Sequence, residues 1–159
     1  MIRLANKDDL ESIMRIEQVC FPKTEAASPQ EFQERFEVFP ENFIVAFADG
    51  MIVGFINGAT TDKPILPDEL YHDVSLHHVE GAYQTVFGLV VLPEYRNQGI
   101  AGQLLKYMID ITKARGKKGI VLTCKDHLVH YYEKFGFVHQ GQSLSQHGGA
   151  IWNDMLLLF

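Results

Sequence analysis

The sequence predicts a mixed α/β (α+β) fold, in which helices flank a mostly antiparallel, twisted sheet with one central parallel pair of strands. Short apolar runs of strand length alternate with longer segments whose apolar residues recur at helical spacing. In the middle of the chain, a strand, a helix and another strand follow one another, and such a unit joins parallel strands. The predicted order is β-α-α-β-β-β-α-β-α-β-β.

The first elements are a short strand over Ile2–Ala5 and two helices. Asn6 is a suitable N-cap for the first helix, which we expect to reach about Cys20, because acidic residues follow in its first turn. The second helix begins at Ser28-Pro29-Gln30-Glu31 and runs to about Phe36.

A β-hairpin and a long loop come next. Two alternating apolar runs, Phe43–Ala48 and Met51–Thr60, flank Asp49-Gly50, and Asp-Gly between such runs is typical of a tight hairpin turn. Residues 61–80 are polar and show no periodicity, which indicates a surface loop with one helical turn near Pro67–His72. Loops of this length often have a function.

The second half of the chain completes the order. Its elements are a strand over Ala82–Leu92, a helix from Gly99 to about Arg115, a strand over Gly119–Cys124, a short helix over Leu128–Phe135, and antiparallel strands over Phe137–Ser143 and Ile151–Leu158. No repeat, low-complexity tract or linker divides the chain, so we expect a single domain over residues 1–159.

Composition excludes several classes of protein. A hydrophobic content of 47% with 21% charged residues is globular rather than disordered. The net charge of −6 argues against a nucleic-acid partner. No run approaches the roughly 20 apolar residues of a membrane span, and the N-terminus lacks a signal-peptide pattern. We therefore expect a cytoplasmic protein with no membrane partner.

Neither the cysteines nor the histidines predict a metal site. Cys20 and Cys124 are far apart and form no CxxC spacing. The same holds for His72, His130, His139 and His147, which together show no ligand spacing.

The most informative segment is Pro93–Gly102, which follows the apolar run Val86–Leu92 and opens the helix predicted from Gly99. An Arg-x-x-Gly-x-Ala turn between a strand and a helix brings backbone amides together at a positive helix end, which suits a pyrophosphate. A side chain in place of the glycine would keep the phosphates away from the backbone. The segment resembles the acetyl-CoA loop of the GNAT superfamily of N-acetyltransferases.

A second motif supports the resemblance. Leu122–Phe137 reads as a strand, a short helix with a tyrosine, and then Phe-Gly-Phe, which is the other GNAT hallmark. Its Cys-x-Asp-x-Leu-Val-x-aromatic-Tyr form is most similar to the arylalkylamine (serotonin) N-acetyltransferase branch. The similarity extends to Ile16-Glu17 with Phe21 and to Leu89-Val90-Val91.

The resemblance implies the GNAT fold, acetyl-CoA as cosubstrate, and direct attack of a small primary amine on the thioester. The backbone of Leu89, Val90 and Val91 would hold pantetheine as an added strand, and the Val91 amide would face the developing oxyanion. The residues implied for the pyrophosphate are Arg96, Asn97, Gln98, Gly99, Ile100, Ala101 and Gly102. Tyr132 matches the general acid that protonates the thiolate. A homodimer is expected only because many family members form one.

The general base departs from the family pattern. Arylalkylamine acetyltransferases have His-x-His where this chain has Thr85 and Phe87, and neither residue titrates near neutral pH. Glu17 is the preferred replacement, since it lies on the apolar stripe of the first helix, where a carboxyl should have a raised pKa or bind the charge of the amine. Glu80, the His77-His78 pair and ordered water remain alternatives.

The amine pocket and the function leave further alternatives. Tyr83, Thr85 and Phe87 share one strand face, and so could line the pocket, if no bulge intervenes. Phe36, Phe39 and the loop 143–149 could close it. Acetylation of a peptide or protein α-amine is the alternative activity, and a non-catalytic acyl-CoA-binding or sensing module is the alternative class.

Overall fold

The computed structural model describes all 159 residues. The strands are β1 (Ile2–Leu4), β2 (Phe43–Ala48), β3 (Met51–Asn57), β4 (Thr60–Thr61), β5 (Tyr83–Val86), β6 (Gly88–Val91), β7 (Gly119–Cys124), β8 (Val138–Gln142) and β9 (Asn153–Leu158). The helices are α1 (Leu10–Cys20), α2 (Pro29–Val38), α3 (Asp68–His72), α4 (Ile100–Ala114) and α5 (Val129–Glu133). None of them combines the length and the apolar character needed to cross a membrane.

These elements form two compact units. The first comprises residues 1–58 and 87–111, and the second comprises residues 59–86 and 112–159. The first has the sheet β1-β2-β3-β6, and the second has the sheet β4-β5-β7-β9-β8. All neighbouring strands are antiparallel except β5 and β7, which are parallel. The mixed class with one parallel pair is thus confirmed, while the single domain stays a prediction.

Side-chain caps form at the short 3₁₀ turn Lys7–Asp9 before α1 and at the start of α2. The Asn6 side chain accepts a hydrogen bond from the Asp8 amide at 2.9 Å, and Asp9 accepts one from the Asn6 amide at 2.8 Å. This capping box forms the turn that leads into α1. At α2, Ser28 Oγ accepts from the Glu31 amide at 3.1 Å, and Glu31 accepts from the Ser28 amide at 3.0 Å. Asn6 thus caps the short 3₁₀ turn over Lys7–Asp9 that precedes α1, not α1 itself, whereas the predicted start of the second helix at Ser28 is confirmed.

The hairpin between β2 and β3 has the predicted turn. Asp49 and Gly50 have φ angles of 52° and 78°, both in the left-handed region, and Ala48 pairs with Met51 across them. Two left-handed residues are what a type I′ turn requires, which explains the Asp-Gly sequence.

Aromatic residues form the centre of the first unit. Phe32 of α2 packs edge-on against Phe43 of β2 and Phe55 of β3, with ring centroids 6.4 and 5.9 Å apart. All three rings are fully buried. Helix α1 packs on β3 and β6 of the same sheet, which brings its inward face to the start of β6.

Two strands predicted as single runs are each divided between the two sheets. The run over Ala82–Leu92 forms β5 and β6, with Phe87 between them, and the run over Met51–Thr60 ends as β3 at Asn57 before β4 begins. The Phe87 amide donates to the Asn57 carbonyl at 2.7 Å, one residue out of the β3–β6 register. Because Phe87 lies in an uninterrupted apolar run, the sequence pattern conceals this break.

The predicted loop over residues 61–80 contains α3, at the place of the predicted helical turn. Leu66 and Leu70 are buried beneath it. Asp68 accepts hydrogen bonds from the Ser145 hydroxyl and, at 3.1 Å, from the Gln146 amide, so it holds the segment before β9. Strands β8 and β9 form the antiparallel pair predicted at the end of the chain.

Candidate active site

One side of β6 has no neighbouring strand, because β6 is the last strand of its sheet. The Leu92 amide donates to the Val53 carbonyl at 2.9 Å, in line with the β3–β6 register. In an antiparallel ladder, the backbone groups of successive residues point alternately toward and away from the neighbouring strand. The backbone N–H and C=O of Val90 therefore also point toward β3, whereas those of Leu89 and Val91 point away from it. An extended molecule can bind along this open edge as an added strand.

Arg96 and two left-handed residues shape the loop after β6. Arg96 Nε donates to the Val91 carbonyl at 2.9 Å, which folds the loop back onto the end of the strand. Asn97 and Gly99 have φ angles of 62° and 81°. A Cβ on Gly99 would meet no atom within 4 Å, so the backbone conformation, rather than crowding, favours glycine there. Turns of this kind orient amides into concave anion sites.

The first turn of α4 adds further amides to this exposed loop. The Gln103 amide donates to the Gly99 carbonyl at 3.0 Å, so the amides before it lack an acceptor within the helix. They lie at the positive end of the helix dipole. The backbone of residues 97–102 is therefore an open cradle that fits a pyrophosphate, although the predicted role of these residues stays a prediction.

Gly54 allows α4 and β6 to lie close to β3. A Cβ on Gly54 would lie 2.7 Å from the Val90 carbonyl oxygen, which is shorter than real Cβ contacts, and 3.4 Å from Leu104 Cδ1. Leu104 is fully buried on α4. A glycine in β3 thus sets the position of the strand and of the helix that flank the cradle.

Glu17 is the buried carboxyl of the first unit. The residue is 6% exposed on α1, and its Oε2 accepts a hydrogen bond from the Ala27 amide at 2.9 Å. Burial raises the pKa of Glu17 to about 7, against the opposing effects of the Ala27 hydrogen bond and the charge of Arg35. A carboxyl with this pKa exchanges protons near neutral pH. Its role as the base stays a prediction.

Phe87 lies in the first unit against a buried cation. Arg35 Cζ is 4.6 Å from the centroid of the Phe87 ring. The centroids of the Phe39 and Phe87 rings are 6.2 Å apart. Arg35 itself is 3% exposed. The Phe87 ring therefore packs against the guanidinium whose charge partly opposes the rise in the pKa of Glu17.

The predicted strand face of Tyr83, Thr85 and Phe87 does not exist. The break at Phe87 leaves Tyr83 and Thr85 in β5 of the second unit, whereas Phe87 belongs to the first. Thr85 is fully buried, and its hydroxyl donates to the Ala59 carbonyl at 2.8 Å. The shared face is therefore wrong, and a role of each residue in amine binding stays a prediction.

Tyr132 is buried in α5 of the second unit. Its ring packs edge-on against those of Tyr131 and Phe137, with centroids 5.3 and 5.7 Å away. Burial, and then the neighbouring Cys124, raise the pKa of Tyr132 well above its usual range. The phenol therefore keeps its proton at neutral pH, as a proton donor must.

The other candidates for the base have different surroundings. Glu80 is exposed, and His78 is exposed with its Nε2 3.7 Å from an Asp62 carboxylate oxygen. His77 Nδ1 accepts a hydrogen bond from the Thr60 amide at 3.1 Å, so it is held within the loop. No group of three or more His, Cys, Asp or Glu residues is arranged to hold a metal.

Sequence reasoning missed two residues next to Glu17. Asn57 ends β3 with 1% of its surface exposed, and it pairs with Gly88 at the start of β6. Glu17 Oε1 and Asn57 Nδ2 each lie 3.9 Å from the position that a Cβ on Gly88 would take. The available signal was an asparagine that closes an apolar strand, but no spacing rule connects it with Glu17.

Comparisons with known proteins agree with both sequence motifs. The protein-family model described as the acetyltransferase (GNAT) family matches residues 10–137. The chain is 31% identical over 139 residues to the serotonin N-acetyltransferase of Mesocricetus auratus, an alignment that covers 85% of this chain and 66% of that enzyme. The chain thus spans just under two thirds of the length of this curated relative.

Solved structures show the same fold at lower identity. The GphF GNAT-like decarboxylase in complex with isobutyryl-CoA matches with a TM-score of 0.81 at 20% identity, over 99% of this chain and 98% of that one. The ribosomal-protein-S18-alanine N-acetyltransferase from Escherichia coli matches with a TM-score of 0.73 at 19% identity, over 99% and 92%. These similarities confirm the predicted fold.

Proposed function

The chain belongs to the acetyltransferase (GNAT) family, and we propose that it transfers an acetyl group from acetyl-CoA to a small primary amine. One observation carries the proposal: the open edge of β6 leads directly into the amide cradle, and the buried carboxyl of Glu17 lies next to the start of the same strand. A single strand therefore connects groups suited to a thioester arm, a pyrophosphate and an amine.

The first unit offers groups for each part of acetyl-CoA. The peptide group of Leu89 can pair with the amides of pantetheine, as a neighbouring strand would. The amides of residues 97–102 can bind the pyrophosphate. The Val91 carbonyl accepts a hydrogen bond from Arg96, and the Val91 amide can stabilise negative charge on the thioester oxygen.

The chemistry needs one proton acceptor and one proton donor. The amine nitrogen attacks the carbonyl carbon, a C–N bond forms, and the C–S bond breaks. Glu17 takes the proton that the amine loses, since its pKa of about 7 leaves much of it ionised at neutral pH. Tyr132 gives its proton to the departing thiolate, and its raised pKa ensures that this proton is present.

We propose an arylalkylamine as the acceptor. The support is the 31% identity to a protein named serotonin N-acetyltransferase. Thr85 and Phe87 stand where that branch has histidines, so the proton must leave by another route, and the buried Glu17 offers one. A cytoplasmic location and a homodimer remain predictions from the sequence.

The proposal is tested by the release of CoA from acetyl-CoA, followed by thiol detection, across a panel of amines. The panel contains arylalkylamines, polyamines, aminoglycosides, amino acids and peptides with free N-termini, at about pH 6 and about pH 8, on both sides of the Glu17 pKa. Turnover of arylalkylamines, faster at the higher pH, is expected. Turnover of peptides alone would contradict the small-amine proposal. Thermal protection by acetyl-CoA without any turnover would identify a sensing module.

A further inference from the structure

A small space lies over Gly88 at the start of β6. A Cβ built on Gly88 would lie 3.9 Å from Glu17 Oε1, 3.9 Å from Asn57 Nδ2 and 3.6 Å from Val90 Cγ2. The Glu17 carboxyl and the Asn57 side-chain amide therefore lie on either side of the same point. Gly88 remains partly exposed, so this point is not sealed inside the core.

Asn57 has an unsatisfied hydrogen-bonding atom in the same side-chain amide whose Nδ2 lies near Gly88. The residue is 1% exposed, and its Oδ1 accepts no hydrogen bond from any residue of the protein. Buried amide oxygens of folded proteins nearly always have a donor. A half-turn of the amide exchanges its oxygen and nitrogen, so either end can face the space over Gly88. The Asn57 side chain therefore has hydrogen-bonding capacity that a molecule bound over Gly88 could use.

We propose that Asn57 and Glu17 together bind the acceptor amine over Gly88 and select primary amines. The proposal rests on the proposed acetyltransferase function and names the residues that recognise its substrate. The Asn57 oxygen accepts one amine hydrogen, and the Glu17 carboxylate accepts the other and then takes that proton in the reaction. The lone pair of the nitrogen stays free to attack.

The number of amine hydrogens explains the selectivity. A neutral primary amine has two N–H groups, which match two acceptors. A secondary amine has only one, so either Asn57 or Glu17 would be left without its donor while buried, which disfavours binding strongly. The absence of a Cβ on Gly88 supplies the room that the nitrogen needs.

Gly88→Ala gives the most direct test. The added methyl would make only ordinary van der Waals contacts, and Gly88 is not among the left-handed residues, so the variant should fold with an unchanged Tm. The methyl would occupy the place of the amine. We expect the KM for 2-phenylethylamine, or for the best primary amine of the panel, to rise about tenfold or more, with unchanged acetyl-CoA affinity.

Asn57→Ala tests the selectivity itself. The wild type should prefer 2-phenylethylamine over N-methyl-2-phenylethylamine in kcat/KM, and we expect Asn57→Ala to reduce that preference by about tenfold. The control is Asn42→Ala, which removes an equally buried asparagine of the same unit. It should leave the preference unchanged even where it lowers the Tm, which separates recognition from a general loss of stability.

Different failures have different meanings. If the wild type turns over primary amines while Gly88→Ala keeps its amine KM and Asn57→Ala keeps the preference, the recognition proposal is wrong and the acetyltransferase function stands. If Asn57→Ala does not fold, Gly88→Ala alone decides through its KM. If the wild type acetylates no amine and binds none in calorimetry, both proposals fail.

Discussion

Asp9 and Glu17 are two carboxyl groups of the same N-terminal segment with similarly little exposed surface, 7% and 6%, although Glu17 lies deeper in the protein. The pKa of Asp9 is lowered, first by its hydrogen bonds from Arg3, whose two terminal nitrogens lie 2.6 and 3.0 Å from the carboxylate oxygens. The pKa of Glu17 is raised to about 7, first by burial. Glu17 has one backbone donor, at Ala27.

The comparison shows that low surface exposure alone does not determine the charge state of a carboxyl. At Asp9, a bidentate guanidinium and a backbone amide outweigh the cost of removing charge from water. At Glu17, a single neutral donor and the more distant charge of Arg35 do not. Asp9 is therefore fixed as an ion that shapes the start of α1, whereas Glu17 can gain or lose a proton at neutral pH.

The largest expected effect comes from Glu17→Gln in catalysis. If Glu17 takes the amine proton, the variant should lose about 10²- to 10³-fold in kcat/KM, the range of a general base. The acidic limb of the wild-type pH–rate profile, centred near the Glu17 pKa of about 7, should vanish as well. Initial rates of CoA release between about pH 5.5 and about pH 9 would measure both effects.

The matched control for this variant is Asp9→Asn. It removes the other buried carboxyl of the segment and should leave the pH–rate profile unchanged, because Asp9 is ionised throughout the range. An acidic limb that persists in Glu17→Gln would exclude Glu17 as the base, and the proton would then leave through another group or water.

Tyr131 and Tyr132 allow a similar comparison of two neighbouring side chains, of which Tyr132 is the proposed general acid. The two rings are in contact, but Tyr132 is fully packed while Tyr131 is half-buried. Tyr132→Phe should lower kcat about 10²-fold without weakening acetyl-CoA binding, because it removes only the proton donor. Tyr131→Phe should keep kcat near the wild-type value. Equal effects of the two variants in steady-state assays would refute the assignment of Tyr132.

Glu17 should also make stability depend on pH in the direction opposite to Asp9. Since its folded pKa lies above the unfolded value, stability falls as the pH rises from about 4.5 to about 7 and then levels off. Glu17→Gln lacks this loss. The difference in the free energy of unfolding, variant minus wild type, should therefore increase by on the order of 2 kcal/mol from pH 5 to pH 8. Urea titrations at the two pH values would test this, and parallel pH curves would contradict it.

The features that the sequence predicted are those with a local cause. Asn6, Ser28 and Asp49-Gly50 act within a few residues of themselves, so caps and turns were readable. Glu17 was recognised because a carboxylate interrupts the stripe of its own helix. The amide cradle was predictable because the turn before α4 needs a left-handed residue, and the sequence shows this need as Gly99.

The missed features depend on contacts distant in sequence. The break at Phe87 comes from its hydrogen bond to Asn57, which no local pattern reports. The space over Gly88 needs α1, β3 and β6 together. Whether a buried carboxyl has a partner is likewise a tertiary fact: Arg3 reaches Asp9 across the cap, while nothing comparable reaches Glu17.

The smallest expected effect is that of Asp9→Asn on stability. The variant keeps an acceptor for the Asn6 amide but loses the ion pair with the partly exposed Arg3, so it should cost about 1 kcal/mol, or about 2–4 °C in Tm. Because the pKa of Asp9 is lowered in the fold, its contribution is present above the unfolded pKa and disappears as the pH falls through the folded value. The Tm difference between wild type and variant should therefore shrink on acidification. A difference that grows instead would mean that the folded protein disfavours the ionised form of Asp9, as it does for Glu17.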